Sequence, residues 1–184
     1  MLYLIGEPAA GKTTLVRALT EGIPSEVCTE PYVAWTHYSD DVCQLGYDRE
    51  TFGGTDALGM AAQKHVLDWL EHRCEYKYII AEGDRLANGK FFDAVREMGV
   101  DLTVAVLLVS QKRLDSRRRK RNAALGKEQD ERWLKTRATK VQNLRRYCDR
   151  EIDGRMPLEE QVKLLKLEPV GRVLARLRVK ARNA

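Results

Sequence analysis

The stretch Leu2-Tyr3-Leu4-Ile5-Gly6-Glu7-Pro8-Ala9-Ala10-Gly11-Lys12-Thr13-Thr14 decides how the rest of the chain is read. Its first four residues are an apolar run that predicts a short buried strand ending at Gly6. Gly6 to Thr13 then fits G-x-x-x-x-G-K-[ST] at every fixed position. Such a loop turns its backbone N–H groups inward around a pyrophosphate, and glycine permits both the dihedrals and the close approach. Gly6, Glu7, Pro8, Ala9, Ala10, Gly11, Lys12, Thr13 and Thr14 are therefore the expected nucleotide-binding residues. Lys12 would reach the β- and γ-phosphates and the Thr13 hydroxyl would bind Mg²⁺. The helix that starts there adds the positive end of its dipole.

Outward from this loop, apolar spacing predicts alternating helices and strands. Residues 12–21 carry a helical pattern that stops at Gly22 and Pro24. Residues 26–29 make a short strand halted by Glu30-Pro31, because a residue before proline is driven from the helical region. Residues 31–55 are polar, aromatic and turn-rich, and predict a long functional loop. Residues 57–73 place Leu58, Ala62, Val66, Trp69 and Leu70 on one helical face. A strand follows at 76–81, a helix at 90–98, and a strand buried on both faces at 102–109. Polar helices are expected over 111–122 and 128–147, another over 158–167 after Pro157, and a basic one from 172 onward. This alternation requires a parallel sheet with helices on both sides.

The chain has 184 residues, 43% hydrophobic and 32% charged, a composition suited to one globular domain with a real core. Its longest strictly apolar run, 104–109, is far short of the roughly 20 residues a membrane helix needs. Cys28, Cys43, Cys74 and Cys148 are far apart without a C-x-x-C pair, which argues against zinc and a disulfide framework. With no basic leader before Leu2, a cytoplasmic protein is expected. His37, His65 and His72 are isolated. The net charge is +5, yet residues 110–150 hold fifteen Lys/Arg against five Asp/Glu. That segment is either a solvated helix face or the partner of an anion.

In an open α/β sheet, ligands sit at the carboxyl ends of the strands. Thr29-Glu30-Pro31-Tyr32-Val33-Ala34-Trp35 puts a carboxylate where the second strand should leave the sheet. Glu30 there is either a turn cap or the general base that takes a proton from a hydroxyl acceptor. Glu-Pro followed shortly by Trp resembles the substrate-side motif of deoxyribonucleoside kinases, and Glu-Pro also occurs in thymidylate kinases. In those enzymes the glutamate contacts or deprotonates the acceptor. Ile79-Ile80-Ala81-Glu82-Gly83-Asp84-Arg85 is similar to their acidic-Arg motif, although the inserted Gly-Asp leaves open which acid does which job. The resemblance implies that Glu82 or Asp84 holds Mg²⁺ and that Arg85 neutralises phosphate or clamps the substrate. It covers roughly residues 1–150 and implies a three-layer α/β P-loop kinase fold, with about five parallel strands.

Small nucleotide kinases carry an arginine-bearing lid at the position of residues 111–127. By that resemblance Arg117 and Arg121 would stabilise the transferred phosphoryl group while the lid excludes water. The further basic residues, Arg132, Lys135, Arg137, Lys140, Arg145 and Arg146, exceed what a lid needs and point to a polyanionic substrate. Trp133 is either a core residue or a platform for a base. Tyr32, Trp35, Tyr38 and Phe52 either line a base pocket or pin the loop to the core. Gly53-Gly54 allows a sharp turn, after which Thr55 or Asp56 would cap the next helix. Asp56 is the rival general base if it reaches the acceptor.

The segments Gly54-Thr55-Asp56-Ala57-Leu58, Glu82-Gly83-Asp84-Arg85 and Trp133 to Val141 together resemble bacteriophage kinases that phosphorylate 5-hydroxymethyluracil within DNA. That likeness implies DNA carrying a modified pyrimidine as acceptor. A free nucleoside or nucleoside monophosphate is the first alternative, and a slow nucleotide-hydrolysing switch the second.

Overall fold

The computed structural model of the protein describes residues 1–49, 53–126, 128–166 and 168–182. In chain order these form β1 (Leu2–Ile5), α1 (Lys12–Thr20), β2 (Glu26–Glu30), β3 (Val33–Ser39), β4 (Val42–Leu45), a 3-10 turn (Gly54–Ala57), α2 (Ala62–His72) and β5 (Tyr78–Glu82). There follow α3 (Gly89–Glu97), β6 (Thr103–Leu108), α4 (Gln111–Leu125), α5 (Glu131–Leu144), a second 3-10 turn (Arg145–Tyr147), β7 (Arg150–Asp153), α6 (Leu158–Leu165) and α7 (Pro169–Arg182).

The strands make one sheet in the order β2-β3-β4-β5-β1-β6-β7. Five of them, β4, β5, β1, β6 and β7, are parallel. Side chains alternate between its faces with the period of two that a strand imposes. Tyr3, Ile5, Cys43, Leu45, Ile79, Ala81, Val104 and Val106 pack with α2, α3 and α5 through Val66, Trp69, Phe91, Phe92, Val95, Val141 and Leu144. Leu2, Leu4, Val42, Ile80, Ala105, Leu107 and Ile152 pack with α1, α4, α6 and α7 on the other side. Helices therefore cover both faces, and the expected three-layer α/β architecture is present.

The sheet has seven strands, not about five. The stretch expected to be a loop contains β3 and β4, and β2 with β3 forms an antiparallel hairpin added to the edge of β4. Asp40 and Asp41 turn the chain between β3 and β4. The second parallel strand is thus β4 and not residues 26–30. β7 was also unexpected: of Arg150, Glu151, Ile152 and Asp153 only Ile152 is buried, so an edge strand of this composition shows no apolar run. No helix among the described residues is long and apolar enough to cross a membrane, and all four cysteines are free thiols.

Candidate active site

The phosphate loop lies between the end of β1 and α1. Ala9 (φ 68°) and Gly11 (φ 108°) adopt left-handed backbone, and Ala10 N–H bonds the Glu7 carbonyl at 3.0 Å. This winding gathers successive amides into an anion-binding concavity at the start of α1. Lys12 Nζ donates to Gly6 O at 3.0 Å and Glu7 O at 3.4 Å, so its ammonium already lies along the loop.

From outside, α4 holds the loop. Arg117 Nη1 donates to Ala10 O at 2.6 Å and to Ala9 O at 3.4 Å. The neighbouring Arg118, almost fully buried, bonds Glu7 Oε2 at 3.0 Å and Asp115 Oδ1 at 3.3 Å. The expected lid arginine Arg117 therefore binds loop carbonyls, and Arg121 lies one helical turn beyond it on α4. Arg118 was not singled out by the sequence, because nothing in the run of five basic residues at 117–121 marks which one turns inward. A cavity of about 600 Å³ adjoins this side of the loop, bounded by Glu7, Ala10, Ser110, Leu114, Val141 and Arg155.

Inside the loop, Thr13 Oγ1 donates to Glu82 Oε1 at 2.7 Å. Glu82 ends β5, next to β1 in register with Leu4, and is only 2% exposed. Burial pushes its carboxyl above the usual range; Lys12 and the Thr13 hydrogen bond act against that, while Asp56 and Asp48 add to it. Asp48, three residues beyond β4, joins the same cluster. The point a Gly53 Cβ would occupy lies 2.8 Å from Thr13 Cγ2, 2.9 Å from Asp48 Oδ1 and 3.3 Å from Glu82 Oε1. The other Asp48 oxygen accepts from Arg17 Nε at 2.7 Å. Sequence reasoning missed Asp48; recognising β4 would have found it as an acid at the carboxyl end of a parallel strand.

The turn after Glu82 is built against the 3-10 turn at 54–57. Gly83 (φ 118°) would place a Cβ 2.7 Å from Thr55 Oγ1, and one on Gly54 would lie 2.4 Å from Glu82 O. Only glycine allows both the approach and the backbone. Asp56 Oδ1 accepts from Asp84 N–H and Arg85 N–H, each at 2.8 Å. Asp56 thus caps this turn and not the helix that follows it in sequence. Below it, the Tyr3 hydroxyl reaches Thr55 Oγ1 and Gly83 O at 3.2 Å, and Thr55 Oγ1 donates to Glu82 O at 3.0 Å.

Glu82 and Asp84, which the sequence left as alternatives, face different partners. Glu82 meets Thr13. Asp84 pairs with Arg137 and with Lys140, whose Nζ is 2.9 Å from Asp84 Oδ1 and 2.8 Å from the Asp84 carbonyl. Both bases come from α5, where Arg137 also lies over the Trp133 ring at 5.3 Å. Trp133 is 37% exposed, so it is not the core residue considered from sequence. Arg85 donates through Nη1 to the sulfur of Met60, and its Nε is buried without a hydrogen-bond partner.

Several expected acceptor-side residues are not brought here. Glu30 sits at the end of β2, four strands from β1, which is about 19 Å at ordinary strand spacing. Its Oε2 accepts from Arg73 Nη1 at 2.6 Å at the end of α2. Tyr32 stacks on His65 with centroids 4.3 Å apart. Trp35 packs on Trp69 at 5.0 Å and donates its indole N–H to Tyr76 at 2.9 Å. Tyr38 donates to Gln44 Oε1 at 3.1 Å. Tyr32 and Trp35 thus tie the hairpin to α2, whereas Tyr38 lies on the α1 side, near Thr20 and Asp48. Phe52 and Lys127, the last lid residue, lie outside the described residues.

Residues 1–169 match the family model described as P-loop Nucleotide Kinase3. Among solved structures, the chain is similar to a gluconokinase from Sinorhizobium meliloti 1021, with 18% identity and a TM-score of 0.50. That alignment covers 99% of this chain and 93% of the other. A shikimate kinase from Aquifex aeolicus VF5 aligns at 17% identity and TM-score 0.48, over 94% of this chain and 98% of that one. No curated protein sequence matches.

Proposed function

Because the chain belongs to the P-loop nucleotide kinase family, we propose that it transfers the γ-phosphoryl group of ATP to a hydroxyl on a nucleoside-like acceptor in DNA. The acceptor in this reading is the hydroxymethyl group of 5-hydroxymethyluracil. The observation that carries the transfer chemistry is the convergence of Lys12, Thr13, Glu82 and Asp48 at one mouth of the loop.

The loop amides and Lys12 bind the β- and γ-phosphates and spread the charge that builds on their oxygens. The cavity between the loop, α4 and β7 gives room for the nucleoside end of ATP. Thr13 and Glu82 are hard oxygen donors at hydrogen-bond distance and fit a Mg²⁺ shared with the phosphates. Bound there, the ion would draw off phosphate charge. Asp48 takes the role first expected of Glu30. It accepts the acceptor's hydroxyl proton as the oxygen attacks the γ-phosphorus and the bond to ADP breaks. Asp56 and Gly83 act through the backbone by fixing the turn that carries Glu82. Arg85 and Arg137 supply the cationic side of the acceptor site.

The gluconokinase similarity at 18% identity speaks to the fold alone. DNA is supported by the exposed cationic length of α4 and α5 with Trp133 on its surface. The test is to offer γ-labelled ATP with Mg²⁺ alongside hydroxymethyluracil DNA, unmodified DNA, free nucleosides and monophosphates. Label should enter the hydroxymethyluracil DNA. Label only in free nucleosides or monophosphates overturns the DNA acceptor; label only in inorganic phosphate overturns the kinase reading.

A further inference from the structure

A second cavity, of about 610 Å³, lies against α5 and the start of α3. Its α5 wall is Arg132, Lys135, Thr136, Thr139, Lys140 and Asn143; among the described residues no carboxylate lines it. All of these but the partly buried Lys140 are solvent-exposed. The facing wall is Asn88 and Gly89, where α3 presents the positive end of its dipole. Lys140 also pairs with Asp84, two residues from Glu82, so the groove opens beside the catalytic turn.

We infer that this groove is a binding track for the sugar-phosphate backbone of the DNA strand that carries the acceptor nucleotide. The exposed cations Arg132 and Lys135, beside the neutral donors Thr139 and Asn143, suit a phosphodiester, while Lys140, held by Asp84, closes the inner end of the groove. A carboxylate-bearing peptide would meet the same cations but not bring a repeating charge along the groove. The acceptor hydroxyl must reach Asp48 and the γ-phosphate held at Thr13, beside the buried Glu82. An enzyme that does chemistry on a base takes it out of the stack, and it must then grip the flanking backbone. Lys140 lies at the point where the groove meets the catalytic turn.

This track rests on the DNA reading above for its choice of partner, but binding needs no phosphoryl transfer. The test is therefore fluorescence anisotropy of single-stranded and duplex DNA without nucleotide, across a salt series. Arg132→Ala/Lys135→Ala should weaken binding about tenfold or more at low salt. It should also flatten the log–log salt slope by roughly 1.4 for a single strand. Arg172→Ala/Arg176→Ala on α7, across the sheet, should leave affinity and slope near wild type. No DNA binding by wild type, an unchanged groove variant, or an equal loss in the α7 variant overturns the track. Weakened binding in the groove variant alone supports it even if no label reaches DNA, in which case only the acceptor reading falls.

Discussion

Thr13 Oγ1 donates a 2.7 Å hydrogen bond to Glu82 Oε1, which joins the first turn of α1 to the end of β5. The bond places a buried, ionisable carboxylate where the charge of a nucleotide would arrive. Burial, the largest cause, raises the Glu82 carboxyl above its ordinary value. Between those two values the folded protein holds more protons than the unfolded chain, so stability falls as pH rises through that window. Glu82→Gln removes this slope. It should raise the thermal midpoint of the free protein at neutral pH, where the buried carboxylate is charged. The same change should lower phosphoryl transfer by roughly 10²-fold. Thermal melts at pH 4.5 to 8 and initial rates check both halves.

Asp48 and Glu30 make a paired prediction. Asp48→Asn keeps the shape and removes the base, and should lower kcat by roughly 10²–10⁴-fold with KM for ATP little changed. Glu30→Gln breaks only its ion pair with Arg73. A surface pair is worth about 1 kcal/mol or less, so its kcat should stay within twofold of wild type, as an order of magnitude. Steady-state kinetics on the two variants separate the roles.

Gly83 tests the turn that carries Glu82. Gly83→Ala forces a side chain into φ 118° and 2.7 Å from Thr55 Oγ1. Strain of this kind costs about 1–3 kcal/mol, and the movement needed to relieve it displaces Glu82. Urea unfolding should show the loss of stability and the rate assay a loss of transfer. Asp56→Ala leaves two backbone N–H groups without their acceptor and should destabilise by about 1–3 kcal/mol.

The inward-turned Arg118 should behave differently from its exposed neighbours. Arg118→Met strands the Glu7 carboxylate and frees the outer side of the phosphate loop. The expected cost is about 2–4 kcal/mol, below the full value for a buried pair because Glu7 retains some exposure. KM for ATP should rise as well. Glu7→Gln/Arg118→Met should recover part of the stability and little of the nucleotide affinity. Denaturant melts and nucleotide titrations read the two effects separately.

The phosphate loop and the parallel core were legible because each rests on local signals. A fixed glycine-lysine pattern and the apolar runs of β1, β5 and β6 declare themselves within a few residues. The hairpin was hidden because β2 and β3 are half exposed at a sheet edge, with Glu26, Thr29, His37 and Ser39 breaking up any apolar run. Missing β4 then put Glu30 forward where the Thr13–Glu82 cluster has Asp48, and a Glu-Pro likeness pointed the same way. Asp48 and the cap made by Asp56 depend on contacts across 28 or more residues, and no local pattern encodes such a pairing. Trp133 was ambiguous for a related reason. Its helix is polar enough to read as solvated, and its ties to Asp84 run through Arg137 and appear only after folding.

The most direct test of the central claim is a crystal structure with Mg²⁺ and a non-hydrolysable ATP analogue. The β- and γ-phosphates should lie within the amides of residues 6–13 with Lys12 Nζ turned onto them. Mg²⁺ should touch Thr13 Oγ1 on the Glu82 side. A triphosphate bound elsewhere, with Lys12 still on the Gly6 carbonyl, would contradict the account.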